Sequence, residues 1–135
     1  MGDIYIPLNI INDQEPERHL EMRFLVDTGA TRAWIPENIA EELLIEPVGR
    51  VPLELADGNI SEYPYGLCKF EYEGEIVNGT VVIGPKDIEP IAGTHLLQDF
   101  RLIVDLAHHT IKRGRAMRAK YCRLAHPNVP GCALK

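Results

Sequence analysis

Short stretches in which apolar and polar residues alternate, the pattern of half-buried β-strands, make up most of this chain. Turn-forming residues separate these stretches, and the pair Asp57-Gly58 between two of them is typical of a tight hairpin. Apolar residues at helical spacing predict two short helices, at residues 36–44 and 94–100. The predicted strands cover residues 3–11, 19–26, 51–56, 63–72, 75–83 and 101–106. Many short strands with one or two short helices predict a mainly β fold, either a mainly antiparallel barrel or a sandwich.

The composition is that of one compact domain. The chain has 135 residues, of which 45% are hydrophobic and 25% are charged, which is enough to build a buried core. No apolar run approaches the roughly 18 residues of a membrane-spanning helix, so no membrane partner is expected. The three cysteines, Cys68, Cys122 and Cys132, are too few and odd in number for a disulfide scaffold. They are expected to be reduced thiols in a cytoplasmic protein.

Charge divides the chain unevenly and predicts two parts, a domain at residues 1–111 and a basic tail at residues 112–135. All 20 acidic residues lie in the domain, whereas the tail holds seven of the 14 Lys and Arg residues. The acidic domain makes nucleic acid an improbable partner. The tail has several open interpretations. It is a solvated or frayed end, a short helix that docks on a partner or nucleic acid, or a segment that binds phosphate, an anionic surface or the protein's own acidic face.

The residues with the most obvious chemistry follow the second predicted strand. This hydrophobic strand ends at Asp27, and Thr28 and Gly29 come next. A carboxylate that leaves a buried strand can be held rigidly in a cleft, the Thr28 hydroxyl can form a hydrogen bond, and Gly29 allows close approach of a substrate backbone. The alternative interpretation is structural, because an aspartate at the end of a strand also forms an Asx turn.

The wider context resembles the retropepsin-like aspartic peptidases. Residues 25–31, followed by Trp34, are similar to the active-site loop of that family. Residues 91–97 resemble the family's apolar-apolar-Gly element, which passes beneath the active-site loop and enters a short helix. The predicted hairpin at residues 51–72 lies where the family carries its flap. The resemblance covers residues 3–111 and implies a single closed β-barrel with one or two short helices.

The resemblance also implies a function and a homodimer. The family hydrolyses peptide bonds with two aspartates around one water, and this chain offers a single Asp-Thr-Gly. Asp27 of both subunits would therefore be catalytic, with Thr28 and Gly29 beside it, and a peptide or protein would be the substrate. Substrate-binding roles fall to Gly29, Ala30 and the flap tip at Asp57, Gly58 and Asn59, whereas Gly93 supports the loop from below. No cofactor or metal is implied.

Two positions depart from the retroviral members of this family. Those enzymes commonly carry an Asp and an Arg, which pair with each other, where this chain has Thr31 and Thr94. The joint absence of both partners favours a cellular, non-retroviral branch. A zinc site built on Cys122, His126 and Cys132 is not expected, because their spacing matches no common metal motif.

Three functional classes remain open at this point. The first is a homodimeric aspartic endopeptidase. The second is a dimer of the same fold that binds peptides or proteins without cleaving them. The third, a β protein that associates with nucleic acid through the basic tail, is disfavoured by the acidic domain.

Overall fold

In the part of the chain that the structure describes, residues 3–114 of a computed structural model, strands predominate and two helices are short. No helix in that part is long and apolar enough to cross a membrane. The elements are β1 (Tyr5–Asn12), β2 (His19–Val26), β3 (Ala33–Pro36), α1 (Glu37–Glu42), β4 (Gly49–Glu54), β5 (Ile60–Tyr72), β6 (Glu75–Gly84), β7 (Ile91–Ala92), α2 (Thr94–Asp99), β8 (Leu102–Asp105) and β9 (Thr110–Arg113).

Six strands close into a barrel in the order β1-β2-β7-β3-β6-β5, and β5 pairs back onto β1. Strand β4 lies outside the ring and pairs only with β5 among the described strands. Most pairings are antiparallel, but β2–β7 and β3–β6 are parallel. The closed, mainly β barrel with two short helices confirms the predicted fold class. The sequence analysis did not predict β3, β7 or β9, which have two to four residues each, whereas β8 lies within the predicted strand at residues 101–106.

The interior of the barrel is filled by the inward-facing residues of alternating strands. Phe24 on β2 and Phe70 on β5 are fully buried and meet edge to face, with ring centroids 6.1 Å apart. On β1, the alternate residues Ile6, Leu8 and Ile10 point into the same core. This packing holds the end of β2, and with it Asp27, in a fixed position.

A buried asparagine connects the β1–β2 turn to the end of α1. The side-chain amide of Asn12 donates to the carbonyl oxygens of Leu43, at 2.7 Å, and Leu44, at 3.1 Å. Its oxygen accepts hydrogen bonds from the backbone N–H groups of Gln14, at 2.7 Å, and Glu15, at 2.8 Å. One side chain thus satisfies four backbone groups of two segments that are distant in sequence.

We expect the substitution Asn12→Ala to lower the free energy of unfolding by about 2–3 kcal/mol, because buried carbonyl groups lose their donor. Urea denaturation measures this loss. The matched control is Asn78→Ala, at an exposed position of β6, where the change should stay within about 0.5 kcal/mol. Equal effects of the two substitutions would show that the Asn12 hydrogen bonds do not stabilise the fold.

The hairpin of β8 and β9 joins the barrel through a carboxylate between two arginines. Glu75 accepts two hydrogen bonds from Arg101, at 2.5 and 3.0 Å, and also pairs with Arg113. Strand β9 crosses the boundary placed between residues 111 and 112, since Arg113 belongs to it. The remainder of the predicted tail, residues 115–135, lies outside the described residues, as does the rejected zinc site of Cys122, His126 and Cys132.

The Glu75 contacts make stability depend on pH in the acidic range. Hydrogen bonding from Arg101, followed by the charges of both arginines, lowers the pKa of Glu75 below its ordinary value of 4.5. A lowered folded-state pKa adds stability that is fully present above the ordinary value and disappears as the pH falls through the folded value. We therefore expect wild type to exceed Glu75→Gln in stability near pH 7, and the difference to disappear in the acidic range as the pH falls through this lowered pKa.

Urea midpoints measured across this pH range test the prediction. The control is Glu62→Gln, which removes a carboxylate whose pairing with Arg50, at 3.5 Å, is well exposed. That pair should contribute little at any pH. A constant difference between wild type and Glu75→Gln from neutral to acidic pH would contradict the assignment.

Candidate active site

Asp27 lies at the point where β2 leaves the barrel. Its backbone N–H donates to the carbonyl oxygen of Ala92 in β7 at 3.1 Å, which continues the parallel pairing of these two strands. Its carbonyl oxygen accepts a hydrogen bond from the N–H of Ala30 at 3.1 Å, so the chain turns immediately. Core packing on one side and this turn on the other fix the backbone of Asp27.

The Asp27 carboxylate is oriented by the loop itself. Oδ1 accepts a hydrogen bond from the backbone N–H of Gly29 at 2.9 Å, which is the Asx turn that the sequence also allowed. The turn and a catalytic role are compatible, because the bond to Oδ1 holds the carboxylate in one orientation. Asp27 is partly exposed, whereas Thr28 and Gly29 are exposed. A side chain at position 29 would place its Cβ 3.2 Å from Oδ1, so glycine keeps this approach open.

Gly93 packs against the backbone of the loop that follows Asp27. A Cβ at this position would lie 2.5 Å from the carbonyl oxygen of Arg32 and 2.8 Å from that of Ala30, both backbone atoms. Only a glycine therefore allows the two segments to pass this closely.

Backbone hydrogen bonds join the same two segments. The N–H of Thr94 donates to Ala30 at 2.8 Å, and the N–H of His95 donates to Thr31 at 3.0 Å. Thr31 and Thr94 are the two positions at which the sequence departs from the retroviral pattern. In this protein, backbone hydrogen bonds connect the two segments at those positions.

An open cleft of about 650 Å³ lies above the loop, with Asp27 at its floor. The loop and β3 form one side, and the far end of β4 with the segment after it forms the other. The lining residues are Asp27, Gly29, Ala30, Thr31, Arg32, Trp34, Leu53, Glu54, Leu55, Ala56 and Ile91. The cleft therefore brings together Asp27, Gly29 and Ala30 of the predicted site, with neither Thr28 nor Gly93 in its lining.

The tip of the β4–β5 hairpin lies beyond the cleft rather than in its wall. Asp57 accepts hydrogen bonds from the backbone N–H of Asn59, at 3.0 Å, and from its side chain, at 2.9 Å. Gly58 adopts a φ of 87°, which favours glycine. All three tip residues are exposed. The Asp57 carboxylate thus closes a turn, the structural interpretation of the Asp-Gly pair.

Residues 53–56 of the same hairpin, which the sequence analysis did not single out, line the cleft. Leu53 and Leu55 are alternate, partly buried positions, so the period-two pattern of the strand was the available signal. Trp34, on the opposite wall, meets Tyr63 of β5 edge to face, with centroids 5.0 Å apart. This contact attaches the base of the hairpin to the wall of the cleft.

Two carboxylates, those of Asp27 and Glu54, are among the described residues that line the cleft. Within residues 3–114, no group of three or more His, Cys, Asp or Glu side chains is arranged to hold a metal ion.

Comparison with known proteins agrees with this geometry. A sequence model of the family described as aspartyl protease matches residues 7–99, a range that contains Asp27, the hairpin and Gly93. Among curated protein sequences, none matches this chain.

Several solved structures have a similar fold. A retropepsin-like aspartic protease from Rickettsia conorii matches with a TM-score of 0.55 and 20% identity over 77% of each chain. The retroviral protease-like domain of Ddi1 from Leishmania major has a TM-score of 0.52 and 18% identity, over 84% of this chain and 87% of that one. EIAV protease, in complex with the inhibitor HBY-793, has a TM-score of 0.53 and 16% identity, over 73% of this chain and 88% of that one. At such identities the likeness shows the fold, a retropepsin-like barrel.

Proposed function

Because this chain belongs to the aspartyl protease family, we propose that it is an aspartic endopeptidase whose active site forms between two copies of the chain. The observation that carries this proposal is Asp27 itself. Its carboxylate is held by Gly29 at the floor of an open cleft, beneath a hairpin. The sequence contains one Asp-Thr-Gly, so a second copy must supply the second aspartate.

The need for two carboxylates follows from the reaction. Hydrolysis of a peptide bond requires a base that takes a proton from water and an acid that protonates the carbonyl oxygen. Two carboxylates at close range cannot both ionise cheaply, so one is ionised and the other keeps a proton. The ionised Asp27 removes a proton from water as the water oxygen attacks the carbonyl carbon, and the protonated Asp27 donates to the carbonyl oxygen. As the resulting diol collapses and the C–N bond breaks, the Asp27 that took the proton from water gives it to the leaving nitrogen, and the other Asp27, now ionised, takes the proton of a diol hydroxyl.

The other site residues have supporting roles in this proposal. Thr28 forms a hydrogen bond across the dimer beneath the aspartate pair, and Gly29 and Ala30 receive the substrate backbone. The hairpin acts as the flap, with residues 53–56 against the substrate and the tip at residues 57–59 above it. The lining by Leu53, Leu55 and Trp34 supports binding of a substrate with apolar side chains. A cytoplasmic location and reduced cysteines remain predictions.

Mixing wild-type chains with Asp27→Asn chains tests the shared site. The wild-type protein is first assayed on an unbiased peptide mixture between about pH 4 and pH 7.5, at concentrations where light scattering reports a dimer. Wild-type chains are then mixed with an equal amount of Asp27→Asn chains and allowed to exchange subunits. If a mixed dimer is inactive, about a quarter of the activity per total chain remains, because only dimers of two wild-type chains work.

Two outcomes would contradict the proposal. After complete exchange, about half of the activity would remain if each chain had its own site, and about three quarters would remain if one Asp27 sufficed for a dimer, so either value would contradict a site that needs both. No cleavage by a confirmed wild-type dimer would favour a dimer that binds peptides without cleaving them. Mixing with Asp87→Asn chains is the matched control, because that aspartate is exposed and does not line the cleft.

A further inference from the structure

A second groove lies outside the cleft of Asp27 and shares no lining residue with it. It has a volume of about 870 Å³ and opens where the pairing of β1 with β5 ends, at Asn9 and Glu71. The β5–β6 turn closes one end of it at Glu73 and Gly74. Because the groove lies outside the proposed active site, an inference about it is independent of the peptidase proposal.

The groove combines negative charge with apolar surface. Glu21 on β2, Glu71 on β5 and Glu73 in the turn line it, and no Lys or Arg is among its described lining residues. Leu20 and Tyr72, which are partly buried against the core, also line the groove and contribute apolar surface. A segment that carries both cations and apolar side chains fits such a groove, since each group would find a complementary surface.

One cation of β9 already contacts residues that line this groove. Arg113 on β9 donates from Nη1 to Glu73 at 3.3 Å, and its Cζ lies 5.6 Å from the centre of the Tyr72 ring. Both contacts are with residues that line the groove. The described part of the chain ends at Gly114, directly after this arginine. Residues 115–135 therefore follow a residue that contacts the lining of the groove.

The sequence of that segment has the matching composition. Residues 115–135 contain five Lys and Arg residues and no Asp or Glu. Met117, Tyr121 and Leu124 are interspersed with these cations. Arg118 follows Arg113 by five positions, a span of at most about 17 Å in an extended chain. The segment therefore supplies cations and apolar groups within reach of the groove.

We propose that residues 115–135 bind in this acidic groove of their own chain. The cations of the segment lie against Glu21, Glu71 and Glu73, and its apolar side chains pack on Leu20 and Tyr72. The contact of Arg113 with Glu73 is the first of this series. Among the interpretations that the sequence left open for the tail, the groove and this contact favour binding to the protein's own acidic face.

Zero-length cross-linking of the full chain tests the proposal. A carbodiimide activates a carboxylate, which the amine of a contacting lysine attacks, so that an amide forms and the activated oxygen leaves as a urea. In the wild-type chain we expect Lys120 to be joined to Glu21, Glu71 or Glu73, as identified by mass spectrometry. Cross-links from Lys120 spread over carboxylates outside the groove would overturn the proposal.

A pair of variants measures the contribution of charge. Glu21→Gln/Glu71→Gln keeps one side-chain oxygen at each position but removes two negative charges. The yield of the Lys120–Glu73 cross-link should then fall about threefold to tenfold. The matched control is Glu41→Gln/Glu42→Gln, two exposed positions near the end of α1, where the yield should stay unchanged. Equal yields in both variants would overturn the proposal.

Two further measurements separate the remaining occupants. In a mixture of isotopically heavy and light chains, cross-links within one chain support the proposal, and cross-links only between chains would assign the groove to the tail of a second copy.

The second measurement does not require Lys120 to lie close to a carboxylate. It compares the wild-type chain with a variant of the same length in which four cations of the tail are replaced by neutral side chains. In it, nuclear magnetic resonance should show shifts at the backbone amides of Leu20 and Gly74, and unchanged groove amides would overturn the proposal. The four changes are Arg115→Gln, Arg118→Gln, Lys120→Gln and Arg123→Gln.

Discussion

The substitution Asp27→Asn is expected to lower kcat/KM for peptide cleavage by about 10³-fold or more while leaving the fold intact. An amide neither accepts the proton of the attacking water nor donates the proton of a carboxylic acid, so both halves of the acid–base chemistry are lost. The structure explains why the fold survives. The oxygen of the amide can still accept the hydrogen bond that the N–H of Gly29 makes to Oδ1 at 2.9 Å.

The comparison therefore includes stability and assembly as well as activity. Urea denaturation and light scattering should give the same midpoint and the same oligomer for wild type and Asp27→Asn. Asp87→Asn, at an exposed position outside the cleft, is the control for the loss of one negative charge and should keep activity within about threefold. Undiminished cleavage by Asp27→Asn would assign the activity to another residue, and the proposal would be wrong.

The substitution Gly93→Ala is expected to have the largest effect on stability, a loss of about 3 kcal/mol or more. The added Cβ would lie 2.5 Å from the carbonyl oxygen of Arg32 and 2.8 Å from that of Ala30. These atoms belong to backbone, and the hydrogen bond from Thr94 to Ala30 holds the segments together. Accommodation requires the two segments to separate, which also moves the loop that orients Asp27, so peptidase activity should fall with stability.

Gly79→Ala is the matched control, because it adds the same methyl group at another barrel position. Its nearest described neighbour would be the side chain of Phe70 at 3.2 Å, and a ring moves a few tenths of an ångström more readily than two strands do. The loss there should stay below about 1 kcal/mol, because an alanine in a strand also orders the unfolded chain. Equal effects at both positions would show that the contact beneath the loop does not limit stability.

Local patterns in the sequence predicted many of the elements that carry the site. Alternation predicted β1, β2, β5 and β6, helical spacing predicted α1 and α2, and Asp57-Gly58 predicted the hairpin turn. These features depend on residues that are near one another in sequence, so they can be read without knowledge of the fold. The Asp-Thr-Gly at Asp27, together with its resemblance to a known loop, identified the family that the match over residues 7–99 shows.

Contacts between residues distant in sequence decided the rest. Strands β3 and β7 have four and two residues, too few for a periodic pattern, and they exist because barrel closure pairs them with β6 and β2. The cleft wall at residues 53–56 likewise depends on where the hairpin lies over the loop, which no local pattern reports.

The sequence by itself thus determined the Asp-Thr-Gly motif at Asp27, the turn at Gly58 and the alternation of the long strands. The tertiary structure alone decided which backbone atoms Gly93 meets, which part of the hairpin faces Asp27, and that Arg113 reaches the acidic groove at Glu73. The physical reason is the range of the interactions. Turn geometry and strand alternation act over a few residues, whereas close packing and charge pairing act between any residues that the closed barrel brings together.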